Sequence, residues 1–400
     1  MKDDFYINGE IIRDSYNRIV FDSAEDDEIY IVGGFIRDIF LGRKVPDRDY
    51  VVKGDFQKAA ERISIKLGCR LTRIGKKNFL RILTKDGITL DFTPMNEDIE
   101  KDLSGRDFTV NALAWSPETG LIDLFNGIDD IAKGLIRIVK KENLDNDPAR
   151  ILRAYRLSGE TSFKIEETTR VILKKMAHKI SEVKTERITL EFFKILNLED
   201  PFPTLRAMHD DTIMNQIICI PNNKIQLKLH KLNEVSGIVK QRTFKNLLEV
   251  NKIFSQGLSN RGLLRLEVLL EDTQSSMFSL SSKIQKRLCG IESAGAIMPK
   301  FTTESRERLY SVFDEAGDAA LDFLVINNML EHVPDLREFD RIKRKSILSA
   351  EEIIDILKIG EGVILGQAKE VINKAEFCLK IKTKSDAIEL LLSGFDVVTS

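Results

Sequence analysis

Residues Ile29–Val52, IYIVGGFIRDIFLGRKVPDRDYVV, decide how the rest of the chain is read. Ile29–Val32 is a short apolar run suited to a strand, and Gly33–Gly34 breaks it. A helix is expected over Phe35–Phe40, ended by Leu41–Gly42. A basic, proline-containing loop then leads to Asp47-Arg48-Asp49 and a second apolar run, Tyr50–Val52. Paired glycines between a strand and a helix let a polyphosphate approach the backbone, and the helix N-terminus offers free N–H groups. Side chains two apart along a strand share a face, so Asp47 and Asp49 converge and Arg48 faces away. Two carboxylates on one edge suit a hard cation such as Mg²⁺, which carries nucleotide phosphates. Each half alone is common in turns. In this order and at this spacing they suit nucleotidyl transfer, where metal ions clamp the attacking and leaving oxygens.

The order Gly-Gly-x-x-Arg-Asp (33–38), Leu-Gly (41–42) and Asp-x-Asp (47–49) resembles the nucleotide-binding motif of class II tRNA nucleotidyltransferases and bacterial poly(A) polymerases. The resemblance implies an α+β fold: a catalytic head with a mixed sheet over 1–139, then an all-helical neck over 140–200, body over 201–346 and tail over 347–400. It places nucleotide phosphates on Gly33, Gly34 and Arg37, and Mg²⁺ on Asp47 and Asp49.

Composition agrees with such a protein. The chain has 400 residues and 45.6 kDa, enough for several domains and a sizeable core. Hydrophobic content is 42%, an ordinary value for a soluble protein, which argues against global disorder. No apolar run is long enough to span a membrane, and the acidic start MKDDFYINGE lacks a signal-peptide core, so a cytoplasmic location without membrane partners is expected. Cys69, Cys219, Cys289 and Cys378 are scattered with no CxxC spacing, which suggests buried free thiols rather than a zinc site or disulfides. The net charge of -2 neither favours nor excludes nucleic acid, since balanced totals can hide a basic face. Local basic stretches lie at 133–141, 174–179 and 337–345, and each is more often a solvated helix face than an RNA contact.

Down the chain, Asp55–Leu67 has a helical pattern closed by Gly68. Strands are expected at Cys69–Ile74, Phe79–Thr84 and Thr89–Thr93, with Asp86-Gly87 as a hairpin turn. Asp91 falls mid-strand, where a buried carboxylate needs a partner; a metal shared with Asp47 and Asp49 would serve, and a solvent-facing position is the alternative. Arg106 and Asp107 precede an apolar segment; such an arginine can pair with phosphate and such an aspartate can accept from a ribose hydroxyl. The string from Gly105 to Ala112 resembles the family motif Arg-Arg-Asp-Phe-Thr-x-Asn-Ala, with Gly105 in place of the first arginine, which adds Asn111 to the nucleotide site. Leu121–Asp130 reads as a strand followed by a turn and resembles the family segment that closes the head.

Asp147-Pro148 is a helix start, with Asp147 as the expected N-cap. Arg150, Arg153 and Arg156 then lie near one helical face, which calls for an anionic partner or for acidic neighbours. The family has Glu-Asp-x-x-Arg here, whose aspartate and arginine read the base edge. Asp147 and Arg150 match that pair, and Asn146 replaces the glutamate that helps orient the arginine. From about 150 onward the chain reads as helical. Glu186–Lys194 is an amphipathic helix to which no chemistry is assigned. Leu264–Asp272 stands where many relatives carry a His-Asp hydrolase motif and lacks the histidine. Ser349 with Glu352 forms a capping box, and glycines at 360, 362 and 366 mark a turn. This last stretch resembles the tail that grips the tRNA elbow.

Between Asp91 and Arg106 lies only PMNEDIEKDLSG after the strand. CCA-adding relatives are considerably longer here, with a loop that reshapes the pocket between CTP and ATP, and CC-adding members have that loop shortened. The family's Thr-Thr-Phe-Arg is also replaced, by Phe92-Thr93-Pro94-Met95. The resemblance thus implies addition of two CMP residues to immature tRNA from CTP, with a separate A-adding enzyme to finish the end. Full CCA addition with CTP and ATP is the alternative, and A addition or poly(A) synthesis a further one. A non-catalytic RNA-binding protein would not need Asp47 and Asp49, and a phosphohydrolase would need the missing His-Asp ligands.

Overall fold

The computed structural model describes residues 4–44, 46–75, 79–95, 97–218, 220–271, 273, 277–297 and 305–394. They divide into two compact units, Met1–Ile195 with Pro203–Ile217, and Leu196–Phe202 with Ile218–Ser400.

The first unit opens with helices α1 (Asp4–Arg13) and α2 (Ser15–Phe21), then β1 (Glu28–Val32), α3 (Gly34–Phe40), β2 (Asp47–Lys53), α4 (Phe56–Leu67), β3 (Leu71–Arg73), β4 (Leu80–Leu83) and β5 (Thr89–Pro94). A six-residue helix α5 (Ile99–Ser104), strands β6 (Leu113–Ser116) and β7 (Gly120–Asp123), and α6 (Gly127–Lys133) complete the head. Helix α6 lies where a turn was expected. The seven strands form one mixed sheet in the order β3-β4-β5-β2-β1-β6-β7. Only the β2–β5 pair is parallel; its neighbours are antiparallel.

The local logic follows the sequence closely. Asp55 caps α4 by accepting the Lys58 N–H, and Gly68 ends it at φ 59. Strand β1 is buried from Ile29 onward, and Tyr50–Val52 are buried in β2. Tyr50 stacks on Phe92 at 5.1 Å, and its hydroxyl donates to Asn17 Oδ1 at 2.6 Å. Helices α1 and α2 were not legible in the sequence. Their junction residue Asp14 accepts from the Tyr16 and Asn17 N–H groups and holds Arg48, whose Nε lies 3.2 Å from Asp14 Oδ1. Arg48 faces away from Asp47 and Asp49 as expected, and is buried between this carboxylate and the rings of Tyr16 and Phe35.

After α6 come β8 (Leu135–Ile136), α7 (Lys141–Asn146), α8 (Ala149–Thr161), β9 (Lys164–Ile165), α9 (Glu167–Met176), α10 (Thr185–Asn197) and α11 (Phe202–Asp210). Strand β9, which pairs in parallel with β8, departs from the helical expectation for the neck. Several residues of the basic stretches are ion-paired: Lys133 to Asp129, Lys179 to Asp145, Lys343 to Asp314 and Glu370.

The second unit is helical apart from a two-stranded ribbon, Ile253–Ser255 with Leu258–Ser259. Glu271 is engaged by Lys231 at 2.7 Å; Asp272 lies outside the described residues. The capping box at Ser349 and Glu352 is formed, Gly360 and Gly362 lie in the turn, and Gly366 sits inside the following helix, Val363–Phe377. Cys69 and Cys378 are half-buried free thiols and Cys289 is exposed, contrary to the expectation of burial; Cys219 lies outside the described residues. Among the described residues no helix is long and apolar enough to cross a membrane.

Removing one partner of a buried ion pair leaves the other charge uncompensated. Arg48→Met should therefore destabilise the head by about 3 kcal/mol, read as a lower midpoint in guanidinium unfolding followed by circular dichroism. A midpoint unchanged from wild type would show that the Arg48–Asp14 pair does not hold β2 in place.

Candidate active site

The β1–α3 turn is held in a conformation that glycine alone adopts easily. Gly33 has φ 74 and ψ -128, and its N–H donates to Leu113 O at 2.9 Å. A Cβ built on Gly33 would lie 2.9 Å from Arg106 Nη1, so the missing side chain is what lets Arg106 reach over the turn. Arg37, one turn into α3, donates to Asn111 Oδ1 at 2.5 Å and to both oxygens of Asp38.

Asp47 and Asp49 point to the open face of β2, as the period of a strand requires. Asp49 is exposed on that face, yet the crowding of neighbouring groups strips part of its hydration; this desolvation pushes its carboxyl above the ordinary Asp range, opposed by Arg106 and reinforced by Asp91 and Asp47. Strand β5 runs parallel to β2 with Asp91 in register with Asp49. Asp91 is buried, so the solvent-facing alternative fails, and its protein partner is an arginine that sequence reasoning missed. Arg81, opposite it on β4, places Nε and Nη2 each 2.7 Å from the two carboxylate oxygens. Among the described residues no set of three His, Cys, Asp or Glu side chains is arranged to hold a metal ion. Two carboxylates with substrate phosphates are nevertheless enough for Mg²⁺, and Asp47 with Asp49 fits that requirement.

A cavity of about 630 Å³ joins these groups. Gly33, Gly34, Arg37, Asp47, Asp49, Asp91, Arg106, Asp107, Asn111, Arg150, Arg153 and Arg156 line it; Asp147 is not among the lining residues. Asp107 is buried and accepts from the Asn111 amide at 3.1 Å and the Phe108 N–H at 2.8 Å, both on Oδ1. Arg153 Nη2 lies 2.9 Å from Oδ2 as an ion pair, but off the hydrogen-bond direction, so Oδ2 keeps an unfilled acceptor position. Burial pushes the Asp107 carboxyl up; Arg153, Asn111 and the Phe108 N–H more than reverse this and hold it below the ordinary Asp range. Arg106 is steadied by Asp102 of α5 at 2.9 Å.

Helix α8 departs from expectation at its start. Its N-cap is Pro148, and Asp147 instead ends α7. The Asp147 carboxylate does not cap the helix because Arg187 of α10 takes it, at 2.8 Å to each oxygen. Arg187 belongs to the segment to which no chemistry was assigned; an arginine on an amphipathic helix gives no local sign of a partner 40 residues away. Arg150 lies 3.8 Å from Asp147 and donates to Gly105 O at 2.9 Å. Of the three arginines, Arg153 meets Asp107, and Arg156 meets Glu191 at 2.7 Å and Glu160 at 2.7 Å. Acidic neighbours therefore satisfy much of the charge for which an external anion was one explanation.

A glycine turn lining a cavity with acids on two adjacent strands of a mixed sheet is the arrangement of a nucleotidyltransferase head. Residues 83–137 match the family described as "Poly A polymerase head domain", and residues 162–222 match "Probable RNA and SrmB- binding site of polymerase A". The chain is 28% identical to a CC-adding tRNA nucleotidyltransferase of Synechocystis, covering 90% of this chain and 91% of that one. It is 31% identical to a CCA-adding enzyme of Streptococcus agalactiae over 50% of this chain and 53% of that one, about half the relative's length. The fold is that of a Thermotoga maritima CCA-adding enzyme complexed with tRNA (TM-score 0.72, 23% identity, 98% of each chain). It also matches a CCA-adding enzyme complexed with CTP (TM-score 0.78, 23% identity, 98% of this chain and 99% of that one). Together these likenesses support the class II tRNA nucleotidyltransferase and poly(A) polymerase family, and the chain is a nucleotidyltransferase.

The raised pKa of Asp49 carries a stability consequence. A carboxyl raised in the folded state favours folding while it is protonated and loses that contribution as the pH rises through its folded value. At pH 7.5 without divalent ions, Asp49→Asn should thus raise the thermal unfolding midpoint. The gain should narrow as the pH falls toward the ordinary Asp value of 3.8. A lower midpoint at pH 7.5 would contradict the assignment of a crowded, costly carboxylate.

Proposed function

We propose that this protein adds two CMP residues to the 3′ end of immature tRNA, using CTP and Mg²⁺, without a nucleic-acid template. The observation that carries the reading is the short, pinned segment between β5 and Arg106. Met95 donates its N–H to Val52 O at 2.8 Å at one end. At the other, Asn143 donates to Ser104 O and Arg106 O at 2.8 and 2.7 Å, Arg150 donates to Gly105 O, and Asp102 of α5 holds Arg106. A pocket that accepts first one base and then a different one needs a moving wall. Among its described residues this wall is tied down at both ends, which favours a single base. The Synechocystis relative, named as CC-adding, spans nine-tenths of the chain and supports the same reading.

In this account Gly33 and Gly34 seat the triphosphate and Arg37 pairs with it. Asp47 and Asp49 would hold Mg²⁺, which when bound neutralises phosphate charge and polarises the α-phosphorus. Asp91 is the third carboxylate of that edge. The RNA 3′-hydroxyl attacks the α-phosphorus in line, and pyrophosphate leaves. The Asp107 carboxylate accepts the ribose 2′-hydroxyl and so selects ribonucleotides, with Asn111 and Arg153 fixing it. Arg150 and Asp147 read the base edge, Asp147 being held by Arg187, and Arg150 by Gly105 O rather than by a glutamate at position 146. Arg106 closes over the glycine turn, and Arg156 braces α8 through Glu160 and Glu191. The head, 1–139, performs the chemistry. The helical neck, 140–200, body, 201–346, and tail, 347–400, hold the tRNA, the tail at its elbow. A cytoplasmic setting with a separate A-adding enzyme completes the picture. The second reading is full CCA addition, favoured by the names of the Streptococcus and Thermotoga relatives.

Purified protein given a tRNA transcript lacking CCA, Mg²⁺ and labelled CTP or ATP, separately and together, tests this. Two C residues and no A are expected. Addition of C, C and A would refute the pinned-wall argument, and no incorporation at all would refute the tRNA substrate. Asp47→Ala should reduce incorporation at least 1,000-fold, an order of magnitude in line with loss of metal-assisted charge stabilisation of about 4 kcal/mol. Retained activity would overturn the metal assignment.

A further inference from the structure

Three carboxylates share one edge of the sheet, yet they are not left unbalanced. Asp91 stands between Asp49 on β2 and Arg81 on β4, in register with both. The guanidinium spans the two Asp91 oxygens at 2.7 Å each, using the lone pairs a divalent cation would also use. The ring of Phe79 lies 5.6 Å from the guanidinium carbon, and the Arg81 side chain remains 41% exposed. Other arginines of the cavity have acids away from this edge: Arg37 has Asp38, Arg106 has Asp102, Arg153 has Asp107. Among the described residues, Arg81 is thus the cavity cation hydrogen-bonded to this edge, through Asp91.

We propose that Arg81 is an internal counter-ion that occupies Asp91 until a divalent cation and nucleotide displace it, and so sets how tightly the cation is held. The proposal rests on the reading that Asp47 and Asp49 hold the cation. Its logic is electrostatic. Three like charges crowded together in a partly enclosed site repel strongly, and the arginine relieves that repulsion when no ligand is bound. Each gain by an incoming cation at Asp91 must then be set against the loss of a bidentate pair. Once released, the guanidinium stands on the cavity wall with the triphosphate as its available anion. A bare metal ion binds weakly under this arrangement, and metal arriving with nucleotide binds well, because only the second supplies a new partner for Arg81. Arg81 is therefore a positioning residue, acting on the cation through Asp91.

The test is Mn²⁺ binding to the full chain without nucleotide, followed by electron paramagnetic resonance of the free ion. Arg81→Gln should bind Mn²⁺ about tenfold more tightly than wild type, and Arg81→Lys, whose ammonium cannot span both oxygens, should fall between them. Asp91→Asn should remove the effect of changing Arg81. Unchanged or weaker Mn²⁺ binding by Arg81→Gln, with binding lost in Asp47→Ala, would overturn the proposal and leave the metal reading standing. Binding insensitive to Asp47→Ala would overturn the metal reading itself. If circular dichroism shows that Arg81→Gln does not fold, Arg81→Lys decides the matter: wild-type affinity for Mn²⁺ refutes the proposal.

Discussion

The parallel pairing of β2 with β5 is the constraint on which the site depends. Because a strand alternates its faces, β2 can show Asp47 and Asp49 to the cavity only by burying what lies between and after them. Arg48 goes inward and Tyr50 with it, the first onto Asp14 and two aromatic rings, the second onto Phe92 and Asn17. The register then brings Asp91 beside Asp49. A slip of one residue would turn the acids into the core and Arg48 into the cavity, so the packing behind the strand and the chemistry in front of it specify the same alignment.

Charge is managed around this edge by pairing rather than by exclusion. Arginines reach the cavity from α3, β4, α5's end and α8, and most meet an acid at hydrogen-bond distance. The pairs keep long side chains in one geometry before a ligand arrives, which lowers the ordering cost of binding. They also leave specific openings, of which the second oxygen of Asp107 is the clearest: buried, charged, and short of one donor.

What the sequence disclosed was local. The glycine pair, the alternation in β2, the Ser349 cap and the Gly68 stop are each determined within a few residues, and each formed. What it withheld was long-range. Arg81 reaches Asp91 across a hairpin, Arg187 takes Asp147 from a helix 40 residues on, and Glu191 meets Arg156 from 35 residues away. Nothing in the spacing of an isolated arginine announces such partners. Asp147 shows the cost of reading locally: Asp-Pro is a fair helix start, but a bidentate arginine outcompetes the backbone for the carboxylate, and the cap passes to Pro148. Helices α1 and α2 escaped notice because they are short and because what Asp14 and Tyr16 do there, holding Arg48, lies in the fold rather than in the sequence around them.

The most direct test of the central claim is a crystal structure grown with Mn²⁺ and a CTP analogue that cannot be cleaved at the α-phosphorus, read by anomalous scattering from manganese. A peak bridging Asp47 and Asp49, with the triphosphate on Gly33 and Gly34, is the predicted result. Nucleotide bound in the cavity with manganese placed away from both carboxylates would contradict the account.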